Sequence, residues 1–223
     1  MTKRNPFILG EWYHCYNRGI ENRTVFEDSQ EYKRFLELLY LANDEFPLRR
    51  NDLGALKFEE VLSIPRGKRL VTIGAFSLMP SHFDLVLQEV SEGGITTFMR
   101  KMGTAYTLYF NSKHKRSGNL FLKPFQSRQV PAEDRSFQNL INYVHCSPAA
   151  LSEPEWKVNH VVDPQFLEEQ LTAYPYSSLG VHIGAQTPTK AIVDVQALSL
   201  ARKVSLQKML QGARQYRADS HIP

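Results

Sequence analysis

The alternation of apolar and polar positions predicts four β-strands in the first two thirds of the chain. Apolar runs indicate a first strand at 12–16 and two further strands at 70–78 and 83–90. Residues 79–81 form a short link between these two strands, which is typical of a hairpin. A fourth strand is expected at 125–130. Short links of this kind favour antiparallel pairing, and we therefore expect an antiparallel sheet.

Three helices are predicted between and after these strands. Asp28 precedes a stretch in which apolar residues recur at helical spacing as far as Tyr40. A long amphipathic helix is expected after Gly94, and another one at 132–146. The order βαββαβ followed by α predicts an α+β fold, a ferredoxin-like (RRM-like) sandwich with one face of its sheet under helices. The other face is expected to be available for a ligand.

The strong periodicity ends near residue 148, which suggests a division of the chain. Residues 1–148 are predicted to form one domain with an irregular insertion at 43–69, and residues 149–223 a helical C-terminal appendage. Within the appendage we expect a short helix at 163–171 and a terminal helix at 195–211.

Composition places the chain among ordinary globular proteins. It has 223 residues, of which 42% are hydrophobic and 22% charged, and no apolar run approaches the roughly 20 residues of a membrane span. Two cysteines are too few for a disulfide framework, and the N-terminus does not resemble a signal peptide. A cytoplasmic protein without a membrane partner is therefore expected.

The positive charge is concentrated in one segment, residues 93–132. The whole chain carries 27 basic and 23 acidic residues, yet this segment contains seven cations and no Asp or Glu. Aromatic residues alternate with the cations, as in surfaces that grip phosphates and stack unpaired bases. The alternative is a solvated helix face with core aromatics, which we favour for Tyr106 and Tyr109. The predicted DNA-binding residues are Arg100, Lys101, Lys113, Lys115, Arg116, Lys123 and Arg128.

The strand at 83–90 begins with a sequence that could hold a metal. Alternation puts Phe83 on the core face of the strand and the flanking residues His82 and Asp84 on the other face. An imidazole and a carboxylate two residues apart could share Mg²⁺ or Mn²⁺. A hydrogen-bonded or solvated pair without metal is the alternative reading.

Five segments together resemble the signatures of the single-tyrosine transposases of the HUH superfamily, and most closely those of the REP-associated tyrosine transposases. They lie in the order that the family shows, at 13–19 (YHCYNRG), 78–85 (LMPSHFDL), 106–111 (YTLYFN), 116–121 (RSGNLF) and 143–148 (YVHCSP).

The resemblance implies a chemistry and assigns it to residues. In that family a His-hydrophobe-His motif holds a divalent ion, and a tyrosine on a later helix attacks a DNA phosphodiester. The matching positions here are His82, Asp84 and Tyr143. The implied reaction is metal-dependent cleavage and strand transfer of single-stranded, hairpin-containing DNA at the ends of a mobile or repeated element. It proceeds through a 5′-phosphotyrosine intermediate, with Mg²⁺ or Mn²⁺ as cofactor and a homodimer as the working unit.

Two positions depart from the family pattern. Asp84 replaces the second histidine of the motif, and Ser147 replaces the side-chain amide that usually completes the metal site one turn after the tyrosine. These changes leave three hypotheses open: an active nuclease and strand transferase, a DNA-binding protein that has lost efficient cleavage, and a phosphodiesterase that uses water. His14 and His145 are reserve candidates for a ligand or a phosphate contact.

Overall fold

The centre of the protein is a four-stranded antiparallel sheet, as predicted. The computed structural model describes residues 5–46, 50–132, 135–158 and 161–220. The strands are β1 (Trp12–Arg18), β2 (Val71–Met79), β3 (His82–Glu89) and β4 (Gln126–Val130). Their order across the sheet is β2-β3-β1-β4, so β2 and β4 lie at its edges.

The register of β1 gathers polar residues on one face of the sheet. Tyr16 lies opposite Asp84 and Arg18 opposite His82, and His14 lies opposite Arg128 of β4. Side chains directly opposite each other in a ladder point to the same face, and residues two apart in a strand share that face. The predicted alternation of β3 therefore holds, and β1 adds its own polar residues to those of β3.

Eight α-helices surround the sheet within the described residues. They are α1 (Ser29–Leu41), α2 (Phe58–Val61), α3 (Gly94–Lys113), α4 (Arg135–Cys146), α5 (Pro164–Ala173), α6 (Leu179–His182), α7 (Val195–Leu200) and α8 (Leu206–Ser220). Asp28 begins α1 as expected, since its carboxylate accepts hydrogen bonds from the backbone N–H groups of Gln30 and Glu31. Of the helices that the structure describes, none combines the length and hydrophobicity that a membrane span requires.

Helices α1 and α3 cover the first face of the sheet. Phe35 of α1 and Met102 of α3 pack against Phe83 and Leu85 of β3 in one apolar cluster. Tyr106 is fully buried there, and its hydroxyl donates to the carbonyl of Val25. The core interpretation of Tyr106 is therefore confirmed.

The second face is covered too, so the expectation that it lies open for a ligand was wrong. Trp12, Ala75 and Val86 provide an apolar floor on that face, and Val144 of α4 and Met209 of α8 belong to the same buried cluster. An apolar floor of this kind is stabilised by packing against helices, because contact removes it from water. Toward the end of the sheet that carries His82, this face also has buried polar groups, among them His14 and Asp84.

Residues after 148 are attached to the sheet by backbone hydrogen bonds. The amide of Leu78 donates to the carbonyl of Tyr176, and the amide of Ser178 donates to the carbonyl of Phe76, both at 2.9 Å. The amide of Asp194 donates to the carbonyl of Ile73, also at 2.9 Å. These residues after 148, called the tail below, are therefore paired with the outer edge of β2.

The single terminal helix expected at 195–211 is two helices, α7 and α8. Ala201 ends α7 in an extended conformation, with ψ at 126°. The amide of Arg202 donates to the side-chain carbonyl of Gln138 at 2.7 Å instead of to a helical carbonyl. This bond to α4 interrupts the helix, and α8 then continues to Ser220.

Candidate active site

A buried histidine and carboxylate lie at the centre of the polar group on the second face. His14 Nε2 donates to Asp84 Oδ1 at 2.8 Å, and both side chains are buried. The other ring nitrogen of His14 lies 3.1 Å from the hydroxyl of Tyr216, which comes from α8. Asp84 Oδ2 is buried without a hydrogen-bond partner among the described residues, and His82 Nε2 lies 3.8 Å from it. One carboxylate oxygen is thus left for a further ligand.

The environment favours an ionised Asp84 beside a neutral His82. Burial alone would raise the pKa of Asp84, but the hydrogen bond from His14 and the nearby His82 and Lys157 hold that pKa below its usual value. Burial lowers the pKa of His82, although the carboxylate of Asp84 opposes this. An anionic oxygen and a neutral imidazole nitrogen are the forms in which these groups bind divalent cations.

Tyr143 lies beside this pair and is itself enclosed. It projects from α4, with its ring centroid 5.8 Å from that of His14 and 5.5 Å from that of Tyr216. Only 5% of Tyr143 is exposed. Burial raises the pKa of Tyr143 far above its usual value, and the charge of Asp84 raises it further. The phenol is therefore protonated at neutral pH.

Three cations from separate parts of the chain, Lys157, Arg217 and Arg18, lie close enough to influence one another at this site. Burial lowers the pKa of Lys157, as do the charges of Arg217 and Arg18, while Asp84 opposes the shift. Arg217 Nε is buried without a hydrogen-bond partner in the part of the chain that the structure describes. Cations that repel one another around one carboxylate form a site suited to an additional anion, such as a phosphate.

Comparison with known proteins gives a similarity of fold. No protein-family model and no curated protein matches the chain. A solved structure, that of a REP-associated tyrosine transposase bound to a REP hairpin, matches with a TM-score of 0.52 over 92% of this chain and 99% of that chain. The chain shares the fold of a tyrosine transposase. Sequence identity is 13%, so the similarity establishes the fold alone.

The structure brings three of the four predicted catalytic and metal-binding residues together. Tyr143, His82 and Asp84 meet on one face of the sheet, as described above. The hydroxyl of Ser147 donates to the carbonyl of Tyr143 at 3.1 Å, a contact within the end of α4. His145 bonds to Ser178 Oγ at 2.9 Å, which gives it a structural partner. The roles assigned to these residues stay predictions.

The seven predicted DNA-binding residues do not form one uniform surface. Three of them are engaged within the protein: Lys113 pairs with Asp28 and Glu31, Lys101 donates to the carbonyl of Asp44, and Arg116 bonds to Asn111. Arg100 and Lys123 line a cavity beside α3, and Lys115 is exposed. Arg128 lies near the site, since it is opposite His14 in the sheet and its guanidinium lies 5.9 Å from the centroid of the Tyr216 ring.

Sequence reasoning gave His14 only a reserve role and missed Tyr216 and Lys157. The alternation of β1 places His14 on one face of the sheet and its neighbours Tyr13 and Cys15 on the core face. This pattern could have indicated that His14 shares a face with Asp84. Its contact with Asp84 depends on the pairing of β1 with β3. No local pattern distinguishes Lys157 and Tyr216, because they lie in segments of weak periodicity far from β3 in sequence.

Proposed function

We propose that this protein binds single-stranded DNA that contains hairpins and cleaves and rejoins it by the single-tyrosine transposase reaction, with Tyr143 as nucleophile. The observation that carries the proposal is the position of Tyr143 beside the His14–Asp84 pair, on the face that also carries His82. Two further points support it: the ordered motifs resemble those of the family, and a transposase bound to a DNA hairpin has the same fold.

The residues at the site fit a divalent cation. Asp84 Oδ2 is buried without a partner among the described residues, and His82 Nε2 lies close to it. Within the described residues no group of three or more His, Cys, Asp or Glu side chains could hold a metal, so phosphate and water oxygens would complete the coordination. Mg²⁺ or Mn²⁺ suits the carboxylate and, when bound, would polarise the scissile phosphate.

The protein's own residues would perform the transfer as follows. Lys157 and Arg18 neutralise the incoming phosphate and orient it toward Tyr143. The phenol oxygen forms a bond to phosphorus, and the bond between phosphorus and the 3′ oxygen breaks. The phenol proton passes to His14, whose ring contacts that of Tyr143, and the 3′ oxygen takes a proton from water. Reversal of these steps with another 3′-OH rejoins the DNA.

Helix α8 restricts access to Tyr143. Only 5% of Tyr143 is exposed, and Tyr216 of α8 contacts both Tyr143 and His14. These contacts leave little room for a phosphodiester beside the phenol. We therefore propose that DNA binding displaces α8 locally.

The decisive experiment is a search for a covalent adduct. End-labelled hairpin DNA with single-stranded flanks is incubated with the protein and Mn²⁺ or Mg²⁺ and then denatured. We expect a denaturation-resistant adduct that is absent in Tyr143→Phe. Cleavage that persists in Tyr143→Phe would instead support attack by water.

A second candidate function is DNA binding without cleavage. The burial of Tyr143 and the use of one Asp84 oxygen by His14 favour it. Tight hairpin binding with neither adduct nor cleavage in either metal would support this alternative and contradict the first proposal. The homodimer implied by the resemblance stays a prediction, which the mass of the protein in solution would test.

A further inference from the structure

A cavity of about 380 Å³ lies on the first face of the sheet, away from Tyr143. One wall is the outer side of α3, including Thr104 and Thr107, and the other is the segment 119–125. Ligand pockets in proteins begin at about 300 Å³, so this cavity can hold a group of the size of a nucleobase or a nucleotide. Its residues are not part of the candidate active site.

A glycine in the middle of α3 keeps this cavity open. Gly103 lies in the centre of a 20-residue helix and lines the cavity. A Cβ built at this position has no atom within 4 Å beyond its neighbours and the backbone of its own helix. Gly103 is not among the glycines with positive φ, and neither close packing nor backbone conformation therefore requires it. Since glycine weakens a helix, its presence here indicates a need for empty space.

The chemistry of the cavity suits an unpaired base on a phosphate backbone. Its walls are largely apolar, with Phe121 and Met99 among them, and Arg100 and Lys123 supply positive charge. Of the described residues that line it, none is Asp or Glu. Leu108 is exposed by 66% and Leu122 by 44%, so the cavity has apolar surface that a base would cover. Single-stranded DNA is bound by this combination of apolar or aromatic platforms and nearby cations.

The cavity is connected through the backbone to the candidate active site. Phe83 lines the cavity and directly follows His82 in β3. The amide of Leu122, another lining residue, donates to the carbonyl of Arg18 at 3.0 Å, and Arg18 lies opposite His82. A DNA strand at His82 therefore has a short path around the end of the sheet to the cavity.

We propose that this cavity binds one unpaired nucleobase of the DNA strand that flanks the hairpin. The proposal rests on the proposed DNA function and specifies how that DNA is held. Arg100 and Lys123 contact the phosphates on either side of the base, and the hydroxyls of Thr104 and Thr107 face its polar edge.

The test compares three proteins: wild type, Gly103→Leu, which fills the cavity, and Gly103→Ala, which adds a single methyl group. Affinity is measured for a hairpin with single-stranded flanks and for a series in which one flanking nucleotide at a time is abasic. A further series carries 2-aminopurine at the same positions, so that its fluorescence reports insertion of the base. Melting temperatures are measured for all three proteins.

We expect one flanking position at which an abasic site weakens binding to wild type by about tenfold or more, and at which 2-aminopurine fluorescence changes on binding. Gly103→Leu should bind the intact DNA as weakly as wild type binds that abasic DNA, with an unchanged or higher melting temperature. Gly103→Ala, which fills only part of the space, should weaken binding to an intermediate extent. It keeps the test decisive if Gly103→Leu folds poorly, because it alters the same cavity.

Three results would overturn the proposal in distinguishable ways. If wild type and Gly103→Leu bind and cleave hairpin DNA equally and no flanking position responds, the cavity proposal fails and the proposed function stands. If wild type binds no hairpin DNA, both fail. A change in the mass of the protein in solution with Gly103→Leu, without a change in DNA affinity, would identify the cavity as a contact between chains and would also overturn the proposal.

Discussion

Burial alters the titration of individual side chains away from the candidate site, and His182 is an example. Its Nε2 lies 2.9 Å from the carbonyl of Gly74, and its ring centroid is 4.6 Å from that of His145. Burial lowers the pKa of His182 below its usual value, although the bond to Gly74 opposes the shift. The folded protein therefore binds a proton here less readily than the unfolded chain does.

This property predicts acid sensitivity. Above pH of about 6.5 both states are neutral at His182, and its contribution to stability is fully present. As the pH falls below that value, the unfolded chain takes up a proton that the folded chain resists, and the free energy of unfolding falls. Urea denaturation between pH 7.5 and 5 should show this decline, with a smaller slope in His182→Gln. Equal slopes in the two proteins would contradict the prediction.

At Gly103 we predict that Gly103→Ala increases the free energy of unfolding by about 0.5–1 kcal/mol, because alanine favours the helix and its methyl group meets no neighbour. Urea denaturation measures this change. The matched control is Gly212→Ala in α8, where a Cβ would lie 2.5 Å from the side-chain nitrogen of Asn142. A loss of stability in Gly103→Ala would show that the space beside it is not free.

At the scale of elements, α4 and α8 pack closely, and Tyr216 of α8 lies against Tyr143 of α4. Gly212 allows α8 to approach α4 closely, since a Cβ there would lie 2.5 Å from Asn142 Nδ2 and 2.7 Å from Asn139 Oδ1. These atoms are the ends of two buried asparagine side chains, so a methyl group at Gly212 would displace the amides or separate the helices, and overpacking costs about 1–3 kcal/mol.

We therefore predict that Gly212→Ala lowers the free energy of unfolding by about 1–3 kcal/mol and increases the rate of adduct formation at Tyr143. The rate rises because Tyr216, which covers the phenol, moves with α8. Adduct formation with labelled hairpin DNA measures the rate, and Tyr216→Phe is a milder control that leaves the helix in place. Reduced stability with an unchanged rate would show that α8 does not limit access.

The elements themselves were largely predictable, because their signals are local. The alternation of β3 placed His82 and Asp84 on one face, and Asp28 marked the start of α1. The break between α7 and α8 was not predictable, since a side chain of α4, Gln138, holds the amide of Arg202. The cover on the second face was missed for the same reason: it depends on contacts between α4 and residues more than sixty positions later.

At the scale of the whole molecule, some cations of the basic segment are engaged in structural ion pairs, whereas others have no such partner among the described contacts. The sequence showed the basic segment but not which of its residues are engaged. Lys113 is paired with Glu31, whose side chain is fully buried, and with Asp28, so it links α3 to α1. Lys115, two residues later, is exposed.

We predict that substitutions of Lys113 and Lys115 have opposite effects on stability and on the salt dependence of DNA binding. Lys113→Met should lower the free energy of unfolding by about 1–3 kcal/mol, because it deprives a buried carboxylate of a partner, and should leave the salt dependence of DNA binding nearly unchanged. Lys115→Met should leave stability within about 0.5 kcal/mol and reduce the slope of binding against salt. Denaturation and titrations at several salt concentrations measure the two effects. If Lys113→Met reduced the dependence of DNA affinity on salt concentration, Lys113 would instead be a DNA contact, and the prediction would be wrong.

The pairing of the tail with β2 has a consequence for how the protein can change. If the chain ended near residue 148, the outer edge of β2 would lose the hydrogen bonds that Tyr176, Ser178 and Asp194 now provide. An unpaired strand edge readily joins another strand, often from a second molecule. A shortened form would therefore tend to aggregate before its chemistry could be assayed. The tail therefore belongs to the stable fold of the sheet and cannot be removed without exposing this edge.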